Sequence, residues 1–248
     1  SRRQRQMCIR DRVRTKPEPV TDQRPADLLE FARQRRPSLS KAEQQRFAER
    51  LFYRTAEIRA RAALVNESIR PDLLLCVHFN AEAWDNPSNP TFSKVNHFHL
   101  ILHGAYMPGE LAHDDERFEM LTKVFQQTHP EELAVSRKVA GAFTKRTSLL
   151  PYIYRTDAPA VRLGPALYAR NLLANRLYRC PVIFLEPYVM NNQLVYDRVQ
   201  AGDYEGERVV AGKPRVSLYR EYADAVAAGL ADYYRIHRPA SPTPEPAD

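Results

Sequence analysis

The chain has 248 residues, a length that fits one large α/β domain or two small ones. Hydrophobic residues make up 44% and charged residues 27%, and no apolar run reaches the roughly 18 residues that a membrane span needs. The net charge of +7 is concentrated in the first sixteen residues, which hold seven basic side chains and one acidic side chain, whereas the rest of the chain is nearly balanced. This composition excludes a membrane-spanning protein and offers no domain-wide basic face to nucleic acid.

Glycine and cysteine usage excludes several further classes. The eight glycines are scattered, and the sequence contains no G-x-G-x-x-G, no G-K-[ST] and no G-x-S-x-G motif. The common nucleotide-binding folds and the serine α/β-hydrolases are therefore disfavoured. The three cysteines, Cys8, Cys76 and Cys180, are too far apart for a zinc knuckle, and their odd number does not fit a disulfide framework.

Both ends of the chain differ in composition from its middle. Residues 6–12 resemble a translated remnant of a sequencing adapter, so we expect residues 1–12 to be an artefactual tail. Residues 237–248 are rich in proline and are expected to form a tail without core contacts. The region 13–236 is expected to be one domain. No signal peptide is visible.

Helices and strands alternate along this region. Ser40 and Glu43 have the spacing of a capping box and begin a long helix that extends to Ile69. Two continuously apolar runs, 73–78 and 182–186, are typical of parallel strands buried on both faces, and 97–103 is a further expected strand. The other expected elements are helices at 27–35, 114–128, 131–146 and 217–235, a helix within 162–177, and a loop or small hairpin at 191–215. We therefore predict a three-layer α/β/α fold with a mostly parallel central sheet flanked by helices.

Each of the two apolar strands ends in an ionisable residue. His78 ends the first strand, and Glu186 ends the second. Because ligands of open α/β sheets bind outside the carboxyl ends of the strands, both groups could face one crevice. A histidine and a carboxylate there suit metal-assisted hydrolysis, in which the imidazole binds zinc and the carboxylate takes a proton from water. The alternative is that both groups form hydrogen bonds with a purely structural role.

The strand at 97–103 carries three histidines. At a period of two, His97, His99 and His103 point to the same side, but His103 lies about 13 Å from His99 at about 3.3 Å per residue. One ion could therefore contact the first two at most, and the alternative is that they line a cleft or the surface. Trp84, in the loop that follows Asn80, could stack on a sugar or cover the cleft.

Four segments of the chain together are similar to the zinc-dependent N-acetylmuramoyl-L-alanine amidases, which cleave bacterial peptidoglycan. Residues 61–66 and 71–81 (RAALVN and PDLLLCVHFNA) resemble the helix, strand and zinc-histidine motif of that family. Residues 180–192 (CPVIFLEPYVMNN) resemble its strand with the catalytic glutamate and the turn after it, and residues 222–230 resemble its closing helix. The order and spacing of these segments carry the resemblance.

The resemblance implies a zinc ligand at His78, a general base at Glu186, peptidoglycan as partner and a location in the periplasm or the extracellular envelope. It also implies a first strand and two further zinc ligands upstream of residue 13, with residues 13–15 as a trace of a later strand. Apart from the resemblance, we expect a substrate cleft lined by Asn80, Trp84, His97, His99 and Asn191. The loop 85–96, the histidine-rich strand and Pro187 depart from the family pattern and indicate a divergent branch.

Three alternatives to a zinc amidase stay open on the sequence. The first is a non-catalytic cell-wall-binding protein with the same fold and a degenerate metal site. The second is a metallo-hydrolase of another amide, for which the histidine-rich strand would matter. The third is a nucleic-acid-binding module, which is weakest because the basic excess lies in the expected N-terminal tail. Near His78, the local substitutes for missing ligands are Glu57, Glu67, His97 and His99, none of which has ligand-like spacing.

Overall fold

The computed structural model describes residue 13 and residues 16–86, 88–154 and 160–237. The predicted tails 1–12 and 237–248 lie outside these residues except for His237, and so do Arg14 and Thr15. The chain divides into two compact units, which we call the helical unit and the sheet unit. The helical unit comprises Ser1–Leu73, Pro108–Phe125 and Asn171–Cys180, and the sheet unit comprises Leu74–Met107, Gln126–Arg170 and Pro181–Asp248.

The sheet unit contains a six-stranded sheet. Its strands are β1 (Leu74–Val77), β2 (His97–Leu102), β3 (Leu150–Pro151), β4 (Val161–Gly164), β5 (Leu167–Ala169) and β6 (Val182–Pro187). The strand order is β1-β6-β2-β5-β4, and β3 pairs with β2 beside β5. β1–β6, β2–β3 and β2–β5 are parallel, whereas β2–β6 and β4–β5 are antiparallel. The predicted α/β fold with a mostly parallel sheet flanked by helices is therefore confirmed.

Two long helices of the sheet unit pack against each other and against the sheet. They are α5 (Thr128–Arg146) and α8 (Leu218–His237). Gly229 lets them approach closely, because a Cβ atom at this position would lie 2.4 Å from the Cα atom of Val139. Phe143 of α5 stacks on Phe98 of β2, with ring centroids 5.5 Å apart, so this face of the sheet is part of the core.

A shorter helix and a hairpin complete the sheet unit. Asn192 caps α7 (Gln193–Gln200) by accepting hydrogen bonds from the backbone N–H groups of Leu194 and Val195. The hairpin pairs β7 (Glu207–Val210) with β8 (Lys213–Val216). The predicted loop or hairpin at 191–215 is thus a helix followed by a hairpin.

The helical unit is built from α1 (Pro25–Arg35), α2 (Lys41–Leu51), α3 (Glu57–Ala63), α4 (Asp114–Phe125) and α6 (Leu173–Leu177). The capping box at Ser40 is confirmed, because Ser40 and Glu43 each accept a backbone hydrogen bond from the other. The π-helical turns Phe52–Ala56 and Leu64–Ile69 continue α2 and α3, so the long helix predicted at 40–69 is continuous. None of the described helices is both long and apolar enough to cross a membrane.

Two sequence expectations about individual elements are wrong. β1 is an edge strand, and Val77 is 66% exposed, so this strand is not buried on both faces. The helix expected within 162–177 is present as α6, which follows β4 and β5. His129 and Pro130 do not separate two helices. Both residues lie in the first turn of α5. Pro130 is tolerated there because the backbone N–H groups of a first turn have no acceptor within the helix, so the N–H that proline lacks costs no helical hydrogen bond.

Candidate active site

His78 and Glu186 lie side by side at the carboxyl ends of two neighbouring parallel strands. The parallel register ends with the pair Val77 and Leu185, and the backbone N–H of His78 donates to the carbonyl of Leu185 at 3.1 Å. His78 and Glu186 therefore occupy the next register position. The ring of His78 contacts Phe184, two residues before Glu186, at a centroid distance of 5.2 Å, so the two side chains share one face of the sheet.

The antiparallel pairing of β2 with β6 adds a second histidine beside Glu186. His99 is directly opposite Glu186 in the register, and residues opposite each other in an antiparallel pair have their side chains on the same face. His97 lies two residues earlier on the same side of β2. The predicted cleft residues His97 and His99 therefore lie near Glu186. They do so because β2 runs antiparallel to β6.

His97 and His99 are 6% and 3% exposed, and each has one hydrogen-bonded ring nitrogen. The Nε2 atom of His97 lies 2.8 Å from Oε1 of Glu82, and the Nε2 atom of His99 lies 3.2 Å from the hydroxyl of Tyr154. The Nδ1 atoms of both histidines are buried and have no hydrogen-bond partner among the described residues. Tyr152 packs against both imidazoles, at centroid distances of 4.3 Å and 5.0 Å.

The other predicted cleft residues organise the loop that follows β1. Asn191 donates to the backbone carbonyl of Glu82 and accepts from its N–H, which fixes the backbone of the residue bonded to His97. Asn80 forms a β-bridge with Val189, and its side chain accepts from the next backbone N–H. Trp84 is 42% exposed. Asn80 and Asn191 thus have structural contacts that hold this edge of the sheet.

Burial changes the protonation of both central groups. It raises the pKa of the half-buried Glu186 to about 7, against the opposing positive charge of Arg170. Burial, followed by the charges of His97 and Arg170, lowers the pKa of His99 to about 3. At neutral pH, Glu186 can therefore both accept and release a proton beside an uncharged imidazole.

A group that could hold a metal ion lies at the other end of β2. One ligand atom from each of His103, His129 and Glu132 lies within 4.8 Å of the other two, and among the described residues this is the sole such trio of His, Cys, Asp and Glu side chains. His103 follows β2, and Glu132 accepts hydrogen bonds from the backbone N–H groups of His103 and Val182. Because β2 and β6 are antiparallel, this end of the sheet is opposite the end that carries Glu186.

The zinc site implied at His78 is not completed by the described residues around it. A catalytic zinc ion usually has three protein ligands, and His78 supplies one imidazole. Glu57, one of the possible substitutes, is committed elsewhere, since its carboxylate accepts from the backbone N–H groups of Val20 and Thr21 and pairs with Arg61. No described trio of donors includes His78.

Two solved structures of amidases align with part of this chain. No family model and no curated protein matches the sequence. The N-acetylmuramyl-L-alanine amidase Ami1 from Mycobacterium smegmatis aligns with a TM-score of 0.43 and 14% identity, over 72% of this chain and 60% of that chain. The apo form of Ami1 from Mycobacterium abscessus aligns with a TM-score of 0.40 and 18% identity, over 72% of this chain and 61% of that chain. This chain thus spans about 60% of the length of either amidase.

Sequence reasoning missed three features of the sheet unit. It did not find Arg170, whose charge acts on Glu186 and His99, because no motif marks the residue that follows β5. It did not place His99 opposite Glu186, because the direction of β2 was unknown. It also missed the group of His103, His129 and Glu132 at the opposite end of β2. His129 and Glu132 have the i, i+3 spacing that places two ligands on one helix face, which is a signal for such a group.

Proposed function

We propose that this protein is an amidase that hydrolyses the bond between the lactyl group of muramic acid and L-alanine in peptidoglycan. One observation carries the proposal: Glu186 lies near the carboxyl end of a buried strand beside His78, within segments that resemble this amidase family, and burial raises its pKa to about 7. A carboxylate with that pKa is suited to general acid–base catalysis at neutral pH. The proposal places the protein in the cell envelope, where peptidoglycan is found.

Glu186 acts as the general base in this scheme. It accepts a proton from water while the water oxygen attacks the carbonyl carbon of the amide. It then donates that proton to the nitrogen as the carbon–nitrogen bond breaks, so that a carboxyl group and an amine leave. Because the pKa of Glu186 is close to neutral, neither transfer is strongly uphill at pH 7.

Two residues near Glu186, Arg170 and His99, support its role in this scheme. Arg170, whose positive charge acts on Glu186, is suited to stabilise the negative charge that develops on the carbonyl oxygen. His99 stays uncharged and hydrogen-bonds Tyr154, which keeps the face beside Glu186 tightly packed. No step is assigned to zinc, because His78 supplies one ligand where three are usual.

The test is the release of free L-alanine amino termini from purified peptidoglycan by the full chain. Glu186→Gln keeps the side-chain volume but removes the base, so we expect the rate to fall by a factor of about 10² to 10⁴. Glu207→Gln is the matched control, because Glu207 is an exposed residue of the β7–β8 hairpin, and it should retain the wild-type rate. Circular dichroism checks that both variants are folded.

Two results would contradict the proposal. A Glu186→Gln variant with the wild-type rate would remove Glu186 from the mechanism. A wild-type chain that binds peptidoglycan without releasing amino termini, with or without added zinc, would favour the non-catalytic cell-wall-binding protein.

A further inference from the structure

Three side chains of types that bind metal ions meet at the end of the sheet opposite the end that carries Glu186. His103 directly follows β2, whereas His129 and Glu132 belong to the first turns of α5. Residues three apart in a helix lie on the same face, so α5 presents both side chains toward the end of β2. One ligand atom of each residue lies within 4.8 Å of the other two.

His129 is oriented as metal-binding histidines usually are. Its Nδ1 atom lies 2.8 Å from the backbone carbonyl of His103. A carbonyl oxygen can only accept, so Nδ1 carries the hydrogen, and in the neutral ring the lone pair is on Nε2. A ligating histidine typically donates its other N–H to a carbonyl or a carboxylate in this way. Gly104, at φ +131°, turns the chain past this ring, and a Cβ atom there would lie 3.7 Å from Nδ1 of His129.

Glu132 is a fully buried carboxylate with two differently used oxygens. Oε1 accepts from the backbone N–H of Val182 at 2.9 Å. Oε2 faces His103, 2.7 Å from Nδ1 and 3.1 Å from the backbone nitrogen. One oxygen is thus held by β6 while the other points to the imidazole, an orientation suited to a monodentate ligand.

We propose that His103, His129 and Glu132 bind one divalent transition-metal ion, of which zinc best fits two imidazoles and a carboxylate. Ligands at about 2.0–2.1 Å from a tetrahedral ion are about 3.3 Å apart. Nδ1 of His103 and Oε2 of Glu132, now 2.7 Å apart, would therefore separate by about 0.6 Å, and no pair of ligand atoms would have to close by more than about 1.5 Å. The ion would replace the proton now shared by His103 and Glu132. This proposal is independent of the proposed function.

The site joins three elements and is remote from Glu186. It connects the end of β2, the first turns of α5 and, through Glu132, the start of β6. His103 is four residues from His99, the residue opposite Glu186, and four residues of a strand span about 13 Å. A metal ion here stabilises the sheet unit rather than activating water at Glu186.

The experiment measures zinc by inductively coupled plasma mass spectrometry in the full chain, purified without a polyhistidine tag and dialysed after zinc loading. We expect about one zinc per chain in the wild type, and a loss of at least tenfold in occupancy in His129→Ala. His113→Ala is the matched control, because His113 is an exposed histidine of the helical unit. His78→Ala tests whether the bound zinc is instead at the end of the sheet that carries Glu186. Both should keep the wild-type zinc content.

Metal analysis and melting together decide the proposal. EDTA should lower the melting temperature of the wild type but not of His129→Ala. Wild type without stoichiometric zinc, or zinc lost in His78→Ala and kept in His129→Ala, would overturn the site. If His129→Ala does not fold, zinc titration of ¹⁵N-labelled wild type must shift the Nε2 signal of His129, and an unshifted signal would likewise overturn it. Glu186→Gln keeps its zinc under the proposal, so the hydrolysis and metal tests can fail separately.

Discussion

At the scale of single residues, the position of Glu186 at a strand end gives it an unusual proton affinity. Its carboxylate is half-buried beside the uncharged imidazole of His99, and the charge of Arg170 offsets the cost of burial only in part. A folded-state pKa near 7 means that the native protein holds this proton more tightly than the unfolded chain does. The same property that suits Glu186 to catalysis therefore reduces stability at neutral pH.

Replacement of Glu186 by glutamine should make this cost measurable. Below the unfolded pKa of 4.5, both states of the wild type are protonated, and the charge contributes no difference. Between pH 4.5 and about 7, the unfolded state releases the proton first, so the free energy of unfolding falls as pH rises. One pKa unit corresponds to about 1.4 kcal/mol, and after allowance for solvent screening we expect Glu186→Gln to gain about 1–2 kcal/mol at pH 8.

Urea denaturation at pH 4 and pH 8 tests this expectation. The gain of Glu186→Gln over wild type should be present at pH 8 and absent at pH 4. Glu207→Gln, on the exposed hairpin, should show no comparable gain at either pH. A Glu186→Gln variant that is less stable than wild type at pH 8 would mean that the carboxylate makes a favourable structural interaction.

At the scale of elements, the contact between α5 and α8 depends on a missing side chain. A Cβ atom at Gly229 would lie 2.4 Å from Cα and 2.8 Å from the backbone nitrogen of Val139. Backbone atoms cannot rotate away as a side chain does, so the helices would have to separate. Gly229 is therefore a packing requirement, despite the intrinsic cost of glycine inside a helix.

Gly229→Ala should lower the free energy of unfolding by about 1–3 kcal/mol, the usual cost of overpacking. Gly141→Ala is the matched control, because Gly141 is likewise inside a helix, α5, but a Cβ atom there would meet nothing within 4 Å. That variant should gain up to about 1 kcal/mol from better helix propensity. Equal effects of the two substitutions in thermal or urea unfolding would contradict this account of the packing.

At the scale of the whole molecule, we predict that most of the basic excess belongs to a tail rather than to a surface of the fold. Residues 1–12 contain five arginines and one aspartate, so their removal lowers the net charge from +7 to +3. Nonspecific binding to polyanions follows the number of available cations and falls with salt. If the folded domain itself binds nucleic acid, binding should persist after residues 1–12 are removed.

Deletion of residues 1–12 should abolish retention on heparin at about 50 mM salt, whereas the full chain should be weakly retained. The melting temperature should change by less than about 2 °C, because these residues are expected to contribute nothing to the core. Unchanged heparin binding by the shortened chain would reveal a cationic surface elsewhere and revive the nucleic-acid alternative.

The sequence by itself determined several of the elements and one pair in the candidate site. The capping box at Ser40 and the two apolar runs predicted the long helix, β1 and β6, because capping and periodicity are local properties. His78 and Glu186 came together as expected, because parallel strands end at the same edge of a sheet. Their chemical roles stay predictions.

Only the tertiary structure decided the partner and the direction of β2. The strand is antiparallel to β6, and this places His99 opposite Glu186 and His103 near Val182, Glu132 and His129. Strands 97–102 and 182–187 are separated by about eighty residues, and the alternation of side chains within one strand is the same whichever way its neighbour runs. Strand pairing is a property of the packed sheet, so both the histidine beside Glu186 and the metal-ligating trio emerge only after folding.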